Sequence, residues 1–175
     1  MLPDISSYDS YDDLLTISFY YTWLFVWDDL TDTNDASSSA DGLATDFERA
    51  CAFREKTIRL ARGCIIGPAC DDDDMHDNND HERGATEIPL QREQVEEQDL
   101  TGSELILHEV GKKIRNSRLD KAQRERFFLE TVRYIRGTET EQAQRLAEYF
   151  PKNMEEYFDV RLLTGAVWPC FCLLE

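Results

Sequence analysis

Hydrophobic and polar positions alternate along the chain in helix-length blocks separated by loop-forming segments. In the first block, residues 14–27, Leu14, Leu15, Ile17, Phe19, Tyr20, Trp23, Leu24 and Val26 leave hardly a polar face. That pattern suits a helix buried on every side. Its aromatic and β-branched content would also suit strands, so periodicity leaves both open. The block's length and the carboxylates at its end favour a helix. Thr33, Asn34, Asp35, Ser37, Ser38 and Ser39 form a loop signal that predicts its stop near Asp32.

A second helix is marked by the capping-box pair Thr45 and Glu48, by the stripe Phe47, Cys51, Ile58 and Ala61, and by Gly63 as its stop. Gly67 and Pro68 then break the chain. Thr101 and Glu104 form another capping box, followed by Ile106, Val110 and Ile114 on one face. Residues 119–135 predict a helix with Phe127, Phe128, Thr131, Tyr134 and Ile135 inward and Gly137 at its end. Residues 142–149 predict a short one closed by Pro151. Asn153 caps a last helix with the inward stripe Met154, Tyr157, Phe158, Arg161, Gly165 and Trp168, running to Pro169. Nothing repeats and no strand is predicted, so the fold class is all-α, a helical bundle with short connections.

Charge changes this picture in one place. The formal net charge is −17, and residues 71–99 hold twelve Asp or Glu against Arg83 and Arg92, which accounts for −10 of it. Residues 65–100 therefore read as an acidic flexible insert within a single domain spanning 1–175. The Asp71, Asp72, Asp73 and Asp74 run with His76 and His81 is read there as solvated loop before it is read as a metal site. An acidic chain repels polyanions, so nucleic acid and anionic membranes are excluded as partners. Five cysteines without a C-x-x-C pair fit neither a disulfide framework nor structural zinc. The apolar block is short for a membrane span, and no Lys or Arg precedes Arg49, so a soluble, cytoplasmic protein is expected.

Two groups of residues carry the candidate chemistry. On a 3.6-residue helix Asp28, Asp32 and Asp29 lie at about 0°, 40° and 100°, one arc at the end of an apolar helix. Clustered carboxylates beside a hydrophobic interior are costly unless water or a cation meets them, and magnesium suits hard oxygen ligands. Arg161 falls on an otherwise apolar stripe. There it either pairs with a carboxylate of its own helix, Glu155, Glu156 or Asp159, or offers its planar fork to a phosphate.

Phe25-Val26-Trp27-Asp28-Asp29-Leu30-Thr31-Asp32 resembles the aspartate-rich motif of class I terpene synthases, especially those of fungi. Glu155-Glu156-Tyr157-Phe158-Asp159-Val160-Arg161-Leu162-Leu163-Thr164-Gly165, followed by Pro169 and Leu173, resembles the family segment in which an arginine senses substrate diphosphate. In that family a helix break shortly after the arginine moves an effector carbonyl. The resemblance implies a partial bundle of the class I terpenoid synthase type. It implies Mg2+ held by Asp28 with Asp29 and Asp32 as helpers, Arg161 as diphosphate sensor, Thr164 as linker and Gly165 as effector. The implied activity is ionisation and cyclisation of a prenyl diphosphate, with farnesyl diphosphate the expected substrate. Phe19, Trp23 and Phe127 are candidates both for cation–π contacts and for plain core packing.

The family's second metal motif, Asn-Asp-x-x-Ser-x-x-x-Glu, is not matched after Arg161. Asn79, Asp80 and Glu87 copy part of it, but with Arg83 at the serine position and ahead of Arg161. Slow turnover or none is therefore expected of this chain alone. The competing readings are a prenyl diphosphate synthase-like enzyme, which normally needs two aspartate-rich motifs, and a non-enzymatic helical remnant.

Overall fold

The computed structural model describes residues 11–32, 42–67 and 100–173. They form six α-helices and no strand: α1 (Tyr11–Asp32), α2 (Phe47–Ile65), α3 (Gly102–Arg115), α4 (Lys121–Leu146), α5 (Met154–Thr164) and α6 (Val167–Cys172). The all-α expectation holds. The acidic insert lies outside the described residues, apart from the end of α2 and its exit at Ile65, Ile66 and Gly67 and the approach to α3 at Leu100. No helix among the described residues is long and apolar enough to cross a membrane.

Helix α1 ends at Asp32 as its loop signal predicts, but it is not buried on every side. Thr16, Tyr20, Trp23, Leu24, Trp27 and Thr31 follow the 3.6-residue period into the core, while Leu14, Tyr21 and Phe25 are exposed, Phe25 at 70%. Trp27 is 1% exposed; it stacks on Phe53 and lies against Tyr134, and its indole N–H donates to the Thr57 hydroxyl at 3.1 Å. Tyr20 sets its ring edge-on to Phe127, 5.0 Å between centroids. Trp23 and Phe127 are completely buried and so belong to the core; Phe19 carries the Lys113 ammonium 5.1 Å above its ring. Cys51, Cys64, Cys170 and Cys172 are free thiols.

Helix α2 departs from expectation at both ends. Its cap is Asp46, whose carboxylate accepts from the Arg49 N–H at 3.0 Å, so Thr45 lies one residue outside. Its buried stripe is Ala50, Arg54, Thr57, Ala61 and Cys64, displaced from the predicted one and leaving Phe47 exposed. Gly63 is an exposed interior position, and the helix runs on to Ile65 before Gly67 turns the chain at φ +87°.

Helix α3 begins as predicted. Glu104 accepts from the Thr101 N–H and hydroxyl, both at 2.9 Å, and takes the Lys56 ammonium of α2 at 2.6 Å. Burial pushes the Glu104 carboxyl up, but Lys56 and the Thr101 donors outweigh it and hold it below its usual value. A depressed folded value stabilises the protein above the unfolded carboxyl's range, and that stability is lost as pH falls through the folded value. Glu104→Gln is therefore expected to lower stability by about 1–2 kcal/mol at neutral pH. In urea melts at a series of pH values, the gap between wild type and variant is expected to close as the pH falls through the depressed folded value. A gap that persists in acid would contradict this.

Helix α4 is one helix where two were expected. Gly137 does not stop it; a Cβ there would lie 2.7 Å from Leu163 Cβ, so the glycine is where α5 comes closest. Beyond it Gln142 is buried and its amide donates to the Leu43 and Ala44 carbonyls at 2.6 and 3.2 Å.

Asn153 caps α5 as predicted, its side chain accepting from the Glu156 N–H at 2.9 Å. The rest of that expectation is corrected. No residue of α5 is buried, and Met154, Tyr157, Phe158, Arg161 and Trp168 are exposed rather than inward. The helix breaks at Gly165, Ala166 takes a left-handed φ of 51°, and Pro169 sits in the first turn of α6, where its missing N–H costs nothing.

Candidate functional site

The predicted residues come from two helices, α1 and α5 with its C-terminal cap, and α4 joins them. Tyr134, Thr138, Glu141 and Arg145 recur at helical spacing on α4, and each engages a different neighbour. Tyr134 donates through its hydroxyl to Asp28 Oδ1 at 3.4 Å, a long bond. Arg145 reaches Asp32 at 3.0 Å. Glu141 takes the Arg161 guanidinium of α5 at 3.3 Å. Both arginines are half-exposed, Arg161 with 49% of its side chain open to solvent. Arg161 thus pairs across to α4, not with Glu155, Glu156 or Asp159 of its own helix.

Asp28 is the electrostatic focus. Burial pushes its carboxyl up, as do the charges of Asp32, Glu141 and Asp29; only the Tyr134 hydroxyl works the other way. Tyr134 is in turn pushed well above its usual range, by burial first and by Asp28 second. Asp29 is exposed, and Asp32 is half-exposed and tied to Arg145. The three aspartates therefore share one helix end but have unequal surroundings. Among the described residues no three His, Cys, Asp or Glu side chains gather into a set that could hold a metal.

A single magnesium anchor is nevertheless compatible with this chemistry. The donors are all hard oxygens, and Asp28 is a half-buried carboxylate crowded by like charge, which a cation would relieve. Magnesium commonly takes only one or two protein carboxylates and fills its shell with water and phosphate oxygen.

The segment after Arg161 also matters. Its guanidinium lies 3.5 Å from the Thr164 hydroxyl, and the Gly165 N–H donates to the Arg161 carbonyl at 2.9 Å. Thr164 is partly buried, Gly165 is exposed, and the break at Gly165 and Ala166 follows directly. Arg161, Thr164 and the break thus follow one another along one turn.

Arg54, Glu141 and Arg145 are among the residues of this region that escaped the sequence reading. Arg54 is 0% exposed, with Nε and Nη2 donating to the Thr138 hydroxyl and carbonyl at 3.2 and 3.3 Å. Burial lowers its guanidinium, offset by Cys51, Glu139 and Asp32. It stands on the stripe Ala50, Arg54, Thr57, so the rule that singled out Arg161 would have found it. Glu141 had no local signal, since only the packing of α5 on α4 brings it to Arg161.

A cavity of about 460 Å3 between α4, α5 and α6 is lined by Glu130, Arg133, Asp159, Leu162, Leu163 and Trp168 and shares none of these site residues.

Neither curated proteins nor solved structures give a match to this chain. The family model described as terpene synthase family 2, C-terminal metal binding, matches residues 20–175, which takes in α1 from Tyr20 onward, the whole α4 face and the Arg161 segment. An all-helical chain that carries an aspartate-rich helix end and a broken helix after an arginine, and that matches this model over most of its length, belongs to the terpene synthase family.

Proposed function

We propose that α1, α4 and α5 form the diphosphate-binding wall of a magnesium-dependent terpene synthase, which ionises and cyclises a prenyl diphosphate, farnesyl diphosphate being the leading candidate. What supports this is the chain of contacts across α4. Asp28 accepts from Tyr134, Glu141 lies near enough to raise the Asp28 carboxyl, and Arg161 is paired to Glu141.

In this reading Asp28 holds the ion, with Asp29 and Asp32 assisting. Bound magnesium supplies Lewis-acid stabilisation of the departing diphosphate. Arg161 exchanges its exposed pairing with Glu141 for the diphosphate, whose oxygens its planar fork fits in two places. Because Thr164 lies against the Arg161 guanidinium, that exchange is felt at the end of α5. Gly165, at the break, then offers a carbonyl that lacks a helical partner to developing positive charge. Tyr134 and the buried rings behind it keep water from the back of Asp28.

Thermal melts with inorganic pyrophosphate and MgCl2 test this reading. A ligand that binds only the folded chain raises the midpoint by mass action. The midpoint is expected to rise with both together, and by much less with pyrophosphate alone. No shift at millimolar concentrations of both would overturn it.

A further inference from the structure

We infer that the outward face of α5 and α6 is an interface on which a second copy of this chain docks. The inference stands apart from the diphosphate chemistry proposed above and starts from the way α5 is packed. Taking Met154 as the origin, Phe158 and Leu162 follow at about 40° and 80°, one apolar ridge along the helix. All three are exposed. The partly buried positions Leu163, Glu156, Val160 and Thr164 lie at about 180°, 200°, 240° and 280°. A surface helix ordinarily turns its main apolar stripe to the core, and α5 turns this ridge to solvent.

Loose attachment does not account for the exposure. Helix α5 is seated on α4 where a Cβ on Gly137 would come within 2.7 Å of Leu163 Cβ, and by the pairing of Arg161 with Glu141 at 3.3 Å. The ridge continues onto its neighbours. Phe150 ahead of α5 and Val167, Trp168 and Phe171 on α6 are exposed as well, with the Trp168 and Phe171 rings 6.2 Å apart. With Tyr157 these are eight large apolar side chains, 43–82% open to solvent. Covering a side chain of this size removes about 150–250 Å2, so half-exposed ones offer roughly 100 Å2 each and the face roughly 800 Å2. The largest apolar patch of an ordinary monomer is about 300–600 Å2. A stable interface takes about 800 Å2 from each partner.

Charge and symmetry favour a second copy as that partner. From residue 149 to residue 173 the chain carries Glu155, Glu156 and Asp159 against Lys152 and Arg161, a net −1 in a protein of −17. A strongly charged partner has little to hold there, while a copy of the same near-neutral face meets little repulsion. A face this apolar is characteristic of homodimers rather than of transient complexes. Two-fold pairing also requires a surface complementary to itself. The cavity of about 460 Å3 between α4, α5 and α6 shares Leu162 with the ridge, so each copy brings a ridge and a recess side by side.

Sedimentation velocity of the full chain, from about 1 to 100 µM, compares wild type, Phe158→Glu/Leu162→Glu, the conservative Phe158→Leu, and Leu105→Glu at an exposed leucine of α3. Wild type is expected to be a dimer at the upper end of that range. Two charges in the middle of the ridge should weaken it at least about 100-fold, leaving a monomer of unchanged circular dichroism. Phe158→Leu and Leu105→Glu should dimerise like wild type. Trp168 gives a second reading, because Trp23 and Trp27 are buried and acrylamide reaches Trp168 alone. Its quenching should fall as wild type dimerises and stay high in the double variant.

A wild type that remains monomeric overturns the inference. Shielded Trp168 in that monomer would give the face to another part of the same chain, and cosedimentation with phosphatidylcholine vesicles would give it to a lipid surface. A dimer that survives Phe158→Glu/Leu162→Glu also overturns it, placing the second copy elsewhere, as do open-ended aggregates in place of a closed dimer.

Discussion

Asp28→Asn is expected to remove the magnesium-dependent part of pyrophosphate binding, weakening it by more than about 100-fold, beyond the 10–100-fold that loss of an outer partner of a metal site brings. Asparagine keeps an oxygen for the Tyr134 hydroxyl but gives up the charge, so the substitution tests the charge and spares the packing. Asp29→Asn is the matched control. It sits one residue away, is exposed, and should change the affinity far less.

A second consequence separates function from folding. The Asp28 carboxyl is pushed up by burial and by Asp32, Glu141 and Asp29, so its ionised form is held in the folded protein at a cost. A neutral asparagine relieves that repulsion, and the melting temperature of Asp28→Asn without ligand should equal or exceed that of wild type. Better stability joined to lost binding is what strained functional groups give. Calorimetric titration with pyrophosphate and MgCl2, beside a melt of each variant, checks both halves. Retained binding in Asp28→Asn, or a larger loss in Asp29→Asn, would show that the anchor lies elsewhere.

What could be read from the sequence was what neighbouring residues decide among themselves. The Thr101 and Glu104 box, the Asn153 cap and the end of α1 at Asp32 are local arrangements, and each stands as predicted. The aspartates at a helix end were legible for the same reason, whereas the break after Arg161 came only from the family resemblance, the local pattern running one helix on to Pro169. Errors entered where a second helix decides the outcome. Tyr21 and Phe25 are as apolar as Tyr20 and Trp27, and only the placement of α3 and α4 leaves one pair outside. Asp46 and Thr45 are both good caps, and the observed start of α2 selects the former. Glu141 and Arg145 look like ordinary surface charges until α1 and α5 pack beside them.

Glycines show the same division, and they yield the second large effect. Gly63 of α2 and Gly111 of α3 both occupy helix interiors, where propensity alone would favour alanine by about 0.5–1 kcal/mol. At Gly63 an added Cβ meets nothing within 4 Å, so Gly63→Ala should gain about that amount. At Gly111 the same atom would sit 2.5 Å from Cys64 Cβ and 2.8 Å from the Cys64 carbonyl carbon. Contact with backbone cannot be relieved by turning a side chain, so α2 and α3 must separate along the line where Cys64, Leu107, Val110 and Ile114 are packed. Gly111→Ala is expected to lose about 3 kcal/mol, a large share of the about 5–15 kcal/mol that holds a domain folded. Urea midpoints should therefore move in opposite directions for the two substitutions. A rise in both would mean that α2 and α3 do not approach each other at Gly111 as closely as described.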